Sequence, residues 1–333
     1  IVAFLSMVMA AESGWQSALM APTEILARQH YERLKPFADA IGLSIVLLTG
    51  REKSAARTQA LTGLAEGTTT LAIGTHALFQ ESVEFKKLGL AVIDEQHRFG
   101  VHQRLALAHK GDAVDMLVMT ATPIPRTLAL TDYAELDVSR ITGLPPGRRP
   151  VRTWVTPETR RDEVYTLLHT ELAAGRQAYV IYPLVEESEK VDLRSATEMA
   201  DHLQAEVFPG YRVALLHGRM KSDAKEHVMQ AFASGQVHVL VSTTVIEVGV
   251  DVPNASVMVV EHAERFGLSQ LHQLRGRVGR GQYDSHCVLL YQAPWSDDAR
   301  ERLKTMAATT DGFEIAERGL ELRGPGDFFG TRQ

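Results

Sequence analysis

Several features that are common in other protein classes are scarce in this sequence. It has one cysteine, Cys287, in 333 residues, which excludes an internal disulfide framework and a cysteine-clustered zinc site. The apolar run at its start is about half the length that spans a bilayer, and no basic segment precedes it as in a signal peptide. A basic excess is also missing, because the formal net charge is −6. Basic residues that bind nucleic acid must therefore be gathered locally.

The composition is typical of folded globular domains, and the length predicts two of them. Short continuous runs of Val, Ile and Leu alternate with longer amphipathic stretches, a pattern typical of parallel strands covered on both faces. The sequence therefore predicts two doubly wound α/β domains. Their strands are expected at residues 18–20, 44–48, 70–73, 90–93, 116–119, 152–155, 178–181, 212–215, 237–241, 256–260 and 286–290. Helices are expected at residues 23–41, 158–174, 196–206 and 222–233, with Thr23 and Ser222 as N-caps.

A stretch rich in proline and glycine, residues 143–150, separates the two halves and is typical of a stiff linker. We therefore predict a first domain at residues 1–147, a second at 148–293 and a C-terminal segment at 294–333. The last segment contains helices at 297–308 and 314–320 followed by a loop. Residues 1–11 are apolar on every side, which predicts a helix buried all round. Because the first strand of a βαβ unit is missing before this helix, we expect a fragment that is cut at both ends.

Two adjacent carboxylates, Asp94 and Glu95, follow the predicted strand at 90–93. Open α/β sheets bind ligands at the carboxyl ends of their strands. An aspartate there can hold Mg²⁺ through an oxygen, and a neighbouring glutamate can orient or deprotonate water. Taken alone, the pair is equally compatible with a solvated loop.

Three further segments carry polar groups at the ends of predicted elements. Thr120 and Thr122 end one strand, although a Ser/Thr turn is the simpler interpretation. Residues 242–253 place hydroxyls, a glycine and an acid after another strand, with a tight turn as the alternative. Residues 273–281 alternate arginines with glycines. Glycine lets the backbone approach a ligand and arginine matches phosphate geometry, so this segment favours a phosphate site.

Together these segments resemble the motifs of superfamily 2 helicases, and the resemblance covers essentially the whole chain. The matching segments are Asp94-Glu95-Gln96-His97 (motif II in its DExH form), Thr120-Ala121-Thr122 (motif III), and residues 21–26, 74–76, 179–183, 239–253 and 270–281 (motifs Ia, Ib, IV, V and VI). Residues 98–101, 122–127 and 216–220 resemble the RecG and Mfd group of double-stranded DNA translocases. Residues 312–333 resemble the translocation motif of that group, and their last eleven residues are closer to RecG than to Mfd.

The resemblance implies two RecA-like domains of the P-loop NTPase type, followed by a helical hairpin and a loop. Two segments that helicases of this group contain are absent from this sequence. They are the phosphate loop G-x-x-x-x-G-K-[ST], or Walker A loop, and an N-terminal wedge domain that engages DNA junctions. The first domain is therefore expected to be truncated. The backbone amides and lysine of that loop cradle the phosphates, so we expect the chain as given to bind ATP poorly and to be inactive.

The resemblance also implies roles for individual residues. Asp94 is expected to hold Mg²⁺, Glu95 to orient the attacking water, and Gln273 to sense the γ-phosphate of ATP. The resemblance further implies that Arg277 and Arg280 act as arginine fingers. It also implies that Gly249 and Asp251 contact the nucleotide. Coupling between ATP and DNA is implied for Thr120, Thr122, Gln96 and His97. DNA contacts are implied for Thr23, Thr75, His76, Thr243, Thr244, Arg318, Arg323, Arg332 and Gln333.

The implied activity is ATP-dependent translocation on duplex DNA, which migrates branched junctions and regresses stalled replication forks in recombination and repair. The implied cofactors are ATP and Mg²⁺, and the partners are branched DNA, such as forks and Holliday junctions, and single-stranded DNA-binding protein. A cytoplasmic, nucleoid-associated monomer without membrane contact is expected. Two alternatives stay open: an Mfd-like transcription-repair coupling translocase, and a non-catalytic DNA-binding relic without the phosphate loop. A nicotinamide-dependent oxidoreductase is excluded, because no G-x-G-x-x-G follows an early strand.

Overall fold

The computed structural model describes most of the chain, in two compact units. The described residues are 1–50, 54–95, 110–111, 113–121, 137–141, 148–183, 189–243 and 251–323. Those up to Ala121 form the first unit, and those from Asp137 onward form the second. Each unit contains one parallel sheet, which confirms the predicted fold class. Residues 142–147 lie outside the described ranges, so the domain boundary at 147/148 stays a prediction.

The first unit has a five-stranded sheet with helices on its faces. Its elements are α1 (Val2–Glu12), β1 (Gln16–Met20), α2 (Glu24–Ala40), β2 (Ile45–Leu48), α3 (Ser54–Glu66), β3 (Leu71–Gly74), a 3₁₀ turn (His76–Phe79), β4 (Leu88–Ile93) and β5 (Asp115–Val118). The strand order is β2-β3-β1-β4-β5. All strands are parallel, so their carboxyl ends meet at one edge, with neighbouring strands about 4.8 Å apart.

The second unit has a six-stranded sheet and ends in a helical hairpin. Its elements are β6 (Arg152–Pro157), a 3₁₀ turn (Glu158–Arg160), α4 (Arg161–Ala173), β7 (Gln177–Tyr182), α5 (Glu189–His202), a π turn (Leu203–Val207), β8 (Val213–Leu216), α6 (Ser222–Ala233), β9 (Val239–Thr243), β10 (Ala255–Val260), a 3₁₀ turn (Ala263–Arg265), α7 (Leu268–Arg275), β11 (His286–Tyr291), α8 (Asp297–Ala308) and α9 (Gly312–Arg323). The order is β6-β11-β10-β7-β9-β8. Strands in both units match the predicted ones to within about two residues at each end.

The continuous apolar runs occupy the interior strands. Every residue of β1, β7 and β10 is buried, because helices cover both faces of each sheet. In the first unit the core divides into two clusters, one containing Met20 and Leu64 and the other containing Met7 and Ile73. The core of the second unit includes a cluster in which α4 and α5 pack against β7, β9 and β10.

Two local predictions were wrong. Helix α1 is not buried all round, since Phe4 and Met7 pack inward while Leu5 and Met9 are 55% and 68% exposed. The helix lies on the sheet beside β1 and β4, so only its inward face is covered by the described residues. Ser222 is the first residue of α6 rather than its N-cap, a position that Lys221 takes.

The predicted cap at Thr23 is confirmed. Thr23 has extended backbone, and its Oγ1 accepts the N–H of Leu26 at 3.3 Å. This bond satisfies one of the free amides at the start of α2. The helix therefore begins directly behind the carboxyl end of β1.

A buried glutamine begins an interior strand in both units. Gln16 Nε2 donates to Leu64 O and Thr69 O at 2.9 and 2.7 Å, and its Oε1 accepts the N–H of Lys87 at 2.8 Å. These bonds join β1 to the loop between α3 and β3 at the amino edge of the first sheet.

The second unit repeats this arrangement. Gln177 Nε2 donates to Phe232 O and Val237 O at 2.6 and 2.7 Å, and its Oε1 accepts from Asn254 Nδ2 at 3.1 Å. Each glutamine thus ties its strand to the loop that follows a neighbouring helix.

Candidate functional site

The two adjacent carboxylates lie at the carboxyl edge of the first sheet. Asp94 N–H donates to Met20 O at 2.9 Å, which extends the pairing of β4 with β1 by one residue. Glu95 then adopts the left-handed region, with φ +53°, and its N–H donates to Asp94 Oδ1 at 3.0 Å. Such backbone is uncommon outside glycine and is concentrated at functional sites. The turn therefore presents both acids at the edge where ligands bind to parallel sheets.

A histidine outside the set of predicted site residues contacts Asp94. His30 Nε2 lies 2.8 Å from Asp94 Oδ2. The two side chains are half-buried, at 29% and 19% exposure. His30 lies three residues after the buried Ala27 on α2. A polar ring at this helical spacing, beside the apolar face, was the one signal that could have identified it.

Other predicted residues of the first unit follow neighbouring strands. Thr23 follows β1 and caps α2, while Thr75 and His76 follow β3. His76 is exposed, whereas the Thr75 Oγ1 is buried and has no hydrogen-bond partner among the described residues. A phosphate could reach the Thr75 hydroxyl only after its surroundings move. Thr120 is exposed just beyond β5.

Several predicted site residues cannot be placed. Outside the described residues lie Gln96, His97, Thr122, Thr244, Gly249, Arg332 and Gln333. Arg323 ends helix α9, but its side chain is also outside the described part of the structure. The roles predicted for these residues stay predictions.

In the second unit, Asp251 and Arg280 form an ion pair. Arg280 Nε also donates to Gly276 O at 3.0 Å, which folds this predicted finger back on its own loop. Gln273 and Arg277 are half-buried near the end of α7, while Leu271 on the same helix is fully buried. The structure therefore brings together a predicted nucleotide contact and a predicted arginine finger.

The glycines of this loop are needed for its own packing. Gly279 has φ +74°, and a Cβ there would lie 2.6 Å from Val151 Cγ2. A Cβ on Gly281 would lie 2.4 Å from Pro253 O. The sequence pattern predicted that these glycines make room for a ligand. The structure shows that the backbone path around Arg280 already requires them.

Arg275 is one of the three arginines of residues 273–281 that the sequence assigned to a phosphate site, but its side chain is used elsewhere. It is 4% exposed, and its Nη1 donates to Met306 O and Thr309 O at 2.8 and 2.9 Å. These carbonyls lie at the C-terminal end of α8, where a cation is favoured by the helix dipole. Burial lowers the pKa of the guanidinium, and burial together with Arg275 lowers the pKa of His272 to about 4. Arg275 thus joins α7 to the predicted C-terminal hairpin.

The remaining predicted DNA contacts of the second unit differ in accessibility. Thr243 ends β9 with a fully buried hydroxyl that has no partner in the described residues. Arg318 is exposed on α9 and pairs with Glu321 at 2.9 Å. The described residues contain no group of three or more His, Cys, Asp or Glu side chains that could hold a metal. None of the helices in the described ranges is long and apolar enough to cross a membrane.

Two family models match the chain. Residues 1–131 match the DEAD/DEAH box helicases, and residues 160–282 match the helicase conserved C-terminal domain. The helicase MrfA, in a crystal structure with DNA and AMPPNP, has the same fold at a TM-score of 0.64 and 17% identity, over 90% of this chain and 44% of that one. The parallel sheets and the two family matches together define two RecA-like helicase domains.

More similar relatives narrow this class. Along its whole length the chain is 54% identical to the ATP-dependent DNA helicase RecG of Synechocystis sp. and 51% identical to that of Escherichia coli K12. It matches a structure of RecG bound to a three-way DNA junction at a TM-score of 0.83 and 47% identity, over 98% of this chain and 42% of that one. The predicted resemblance to RecG helicases is therefore confirmed along the whole chain. The chain spans 40% and 49% of the length of these two relatives.

Proposed function

We propose that this chain is the motor portion of an ATP-dependent DNA helicase that acts on branched duplex DNA. The observation that carries the proposal is the strained Asp94–Glu95 turn at the carboxyl edge of the first sheet, in a chain 54% identical to a RecG helicase over its whole length. The rival function, a relic that binds DNA without catalysis, has no need of a left-handed Glu95.

In the proposed reaction, residues of the first domain prepare the attack on ATP. Asp94 offers a hard carboxylate oxygen at an accessible sheet edge, which fits the preference of Mg²⁺. When bound, Mg²⁺ would neutralise charge on the phosphates. The Glu95 carboxylate orients the attacking water and accepts its proton.

The proposal assigns the remaining roles at ATP to residues of the second domain. Arg277 and Arg280 neutralise the charge that develops on the γ-phosphate, and Gln273 senses that phosphate. Gly249 and Asp251 contact the nucleotide. Because Arg280 is paired with Asp251, it must exchange that partner for phosphate before it can act as a finger. Binding of ATP therefore competes with a contact inside the second domain.

DNA contacts in the proposal are to phosphates, which carry no sequence information and suit a translocase. The first domain supplies Thr23 and His76, and it supplies Thr75 once the buried hydroxyl of that residue becomes accessible. The second domain and C-terminal segment supply Thr244, Arg318, Arg323, Arg332 and Gln333, and they supply Thr243 on the same condition. Motion is coupled to hydrolysis through Thr120, Thr122, Gln96 and His97.

The biological setting is part of the proposal. The substrate is a replication fork or a Holliday junction, which the enzyme regresses or migrates in recombination and repair. A monomer in the bacterial cytoplasm, associated with the nucleoid and with single-stranded DNA-binding protein, fits that activity.

The test is steady-state ATP hydrolysis by the full-length protein at fixed salt, with no DNA, linear duplex, or three- and four-way junctions. We expect junctions to stimulate hydrolysis much more than linear duplex. Equal stimulation by linear duplex would favour an Mfd-like translocase. Absence of hydrolysis with every DNA would support the non-catalytic alternative.

A further inference from the structure

The contact between His30 and Asp94 has no place in the reaction described above. Its 2.8 Å separation is a short hydrogen bond, and its acceptor is a carboxylate. Bonds of this kind are stronger than neutral ones and orient both partners. Asp94 Oδ1 is held separately by the N–H of Glu95. Both oxygens of Asp94 are therefore oriented by protein groups. Of these two groups, the N–H of Glu95 belongs to the same turn as Asp94, whereas the His30 ring belongs to another element.

That other element is helix α2, which starts at a proposed DNA contact. Thr23 caps its first turn, and His30 lies seven residues further along. At 1.5 Å per residue, the two are about 10 Å apart along the axis. The main contacts of α2 with the sheet are to β2 and β3, whereas Asp94 follows β4. A displacement of His30 by about 1 Å directed along the contact would lengthen the 2.8 Å separation to about 3.8 Å, beyond hydrogen-bond range.

We propose that His30 is a positioning residue that couples DNA binding at the start of α2 to the orientation of Asp94. Phosphate contact at Thr23 sets the position of α2, and the His30 ring passes that position to the carboxylate. The inference rests on the proposed function, because it assigns a regulatory connection to the same ATP site. The proposal also requires that the His30 ring donates its Nε2–H to Asp94 Oδ2.

The functional test uses three variants of the full-length protein. His30→Leu removes the ring and its donor, His30→Gln keeps an N–H donor on a shorter side chain, and Lys35→Ala is a matched control. Lys35 lies on the same helix and forms an exposed pair with Asp39 at 2.8 Å. The assays are kcat and KM for ATP with and without a three-way junction, junction affinity, and thermal unfolding.

We expect His30→Leu to lower kcat measured with the junction about tenfold more than kcat measured without DNA. This factor is about what the loss of one hydrogen bond to a charged group produces. Junction affinity and melting temperature should stay near those of the unmodified protein. His30→Gln should recover most of the stimulation, and Lys35→Ala should behave as the unmodified protein. An equal fall of both rates in His30→Leu, or full stimulation, would overturn the coupling role.

A second readout does not depend on hydrolysis. In the chain labelled with ¹⁵N-histidine, NMR should show a hydrogen-bonded Nε2–H that His30→Gln identifies by its loss and that Asp94→Ala shifts. If this signal is present but no DNA stimulates ATP hydrolysis, the proposed function fails while the contact stands. If hydrolysis is stimulated but no such Nε2–H exists, the coupling through His30 is wrong.

Discussion

Gln177 provides a quantitative test of how the second unit is held together. Gln177→Leu keeps the approximate size of the side chain and removes both of its donors. Phe232 O retains the N–H of Gly235 at 3.1 Å, whereas Val237 O loses the amide that contacts it at 2.7 Å. An unsatisfied buried carbonyl costs about 1–3 kcal/mol and a lost hydrogen bond about 1 kcal/mol, so we expect a loss of about 2–4 kcal/mol.

Hydrogen exchange followed by mass spectrometry resolves the two units and avoids assuming one unfolding transition. Exchange should accelerate in β7 and β9 and stay unchanged in the first unit. Gln236→Leu is the matched control, because Gln236 is exposed in the same loop and should change stability by less than about 0.5 kcal/mol. Equal exchange in the Gln177 and Gln236 variants would refute the reasoning.

Four further predictions concern the site and the hairpin. Glu95→Gln should abolish ATP hydrolysis by the full-length protein and leave junction binding intact; equal loss of both, measured by hydrolysis and gel shift, would contradict its role. Arg323→Ala should hydrolyse ATP without moving branches, which a junction-unwinding assay checks. Arg275→Ala should destabilise the hairpin by about 3 kcal/mol, since it leaves buried carbonyls unpaired, and faster exchange across residues 297–323 is the readout. The folded-state pKa of His272 is lowered to about 4, so the contribution of this residue to stability should be fully present above pH 6.5 and fall by about 3 kcal/mol as the pH drops to 4; urea titrations of His272→Gln should show less of this loss.

The positions of the strands along the chain and their parallel type were predictable because their signals are local. An interior parallel strand must be apolar on both faces, and runs such as the one at β10 satisfy this over six consecutive residues. The cap at Thr23 is equally local, because its bond closes within three residues. Ser222 carries the same kind of signal but lies one residue inside its helix, a shift that composition alone does not resolve.

The site was predictable only in outline. Polar residues directly after strands must lie at the carboxyl edge of a parallel sheet, which locates Asp94 and Thr75 without coordinates. The left-handed backbone of Glu95 and the burial of the Thr75 hydroxyl depend on how the neighbouring strands close around them. Neither property has a signature in the local sequence.

By itself, the sequence determined the two α/β units and the strand positions, because hydrophobic period acts over a few residues. It also predicted, from motif spacing, the segments that carry the chemistry. Tertiary structure alone decided which distant groups meet. His30 reaches Asp94 across 64 residues, and Arg275 reaches the end of α8 across 31 and 34. Such bonds depend on distance and angle, which the packing of helices on sheets sets and which no local pattern encodes.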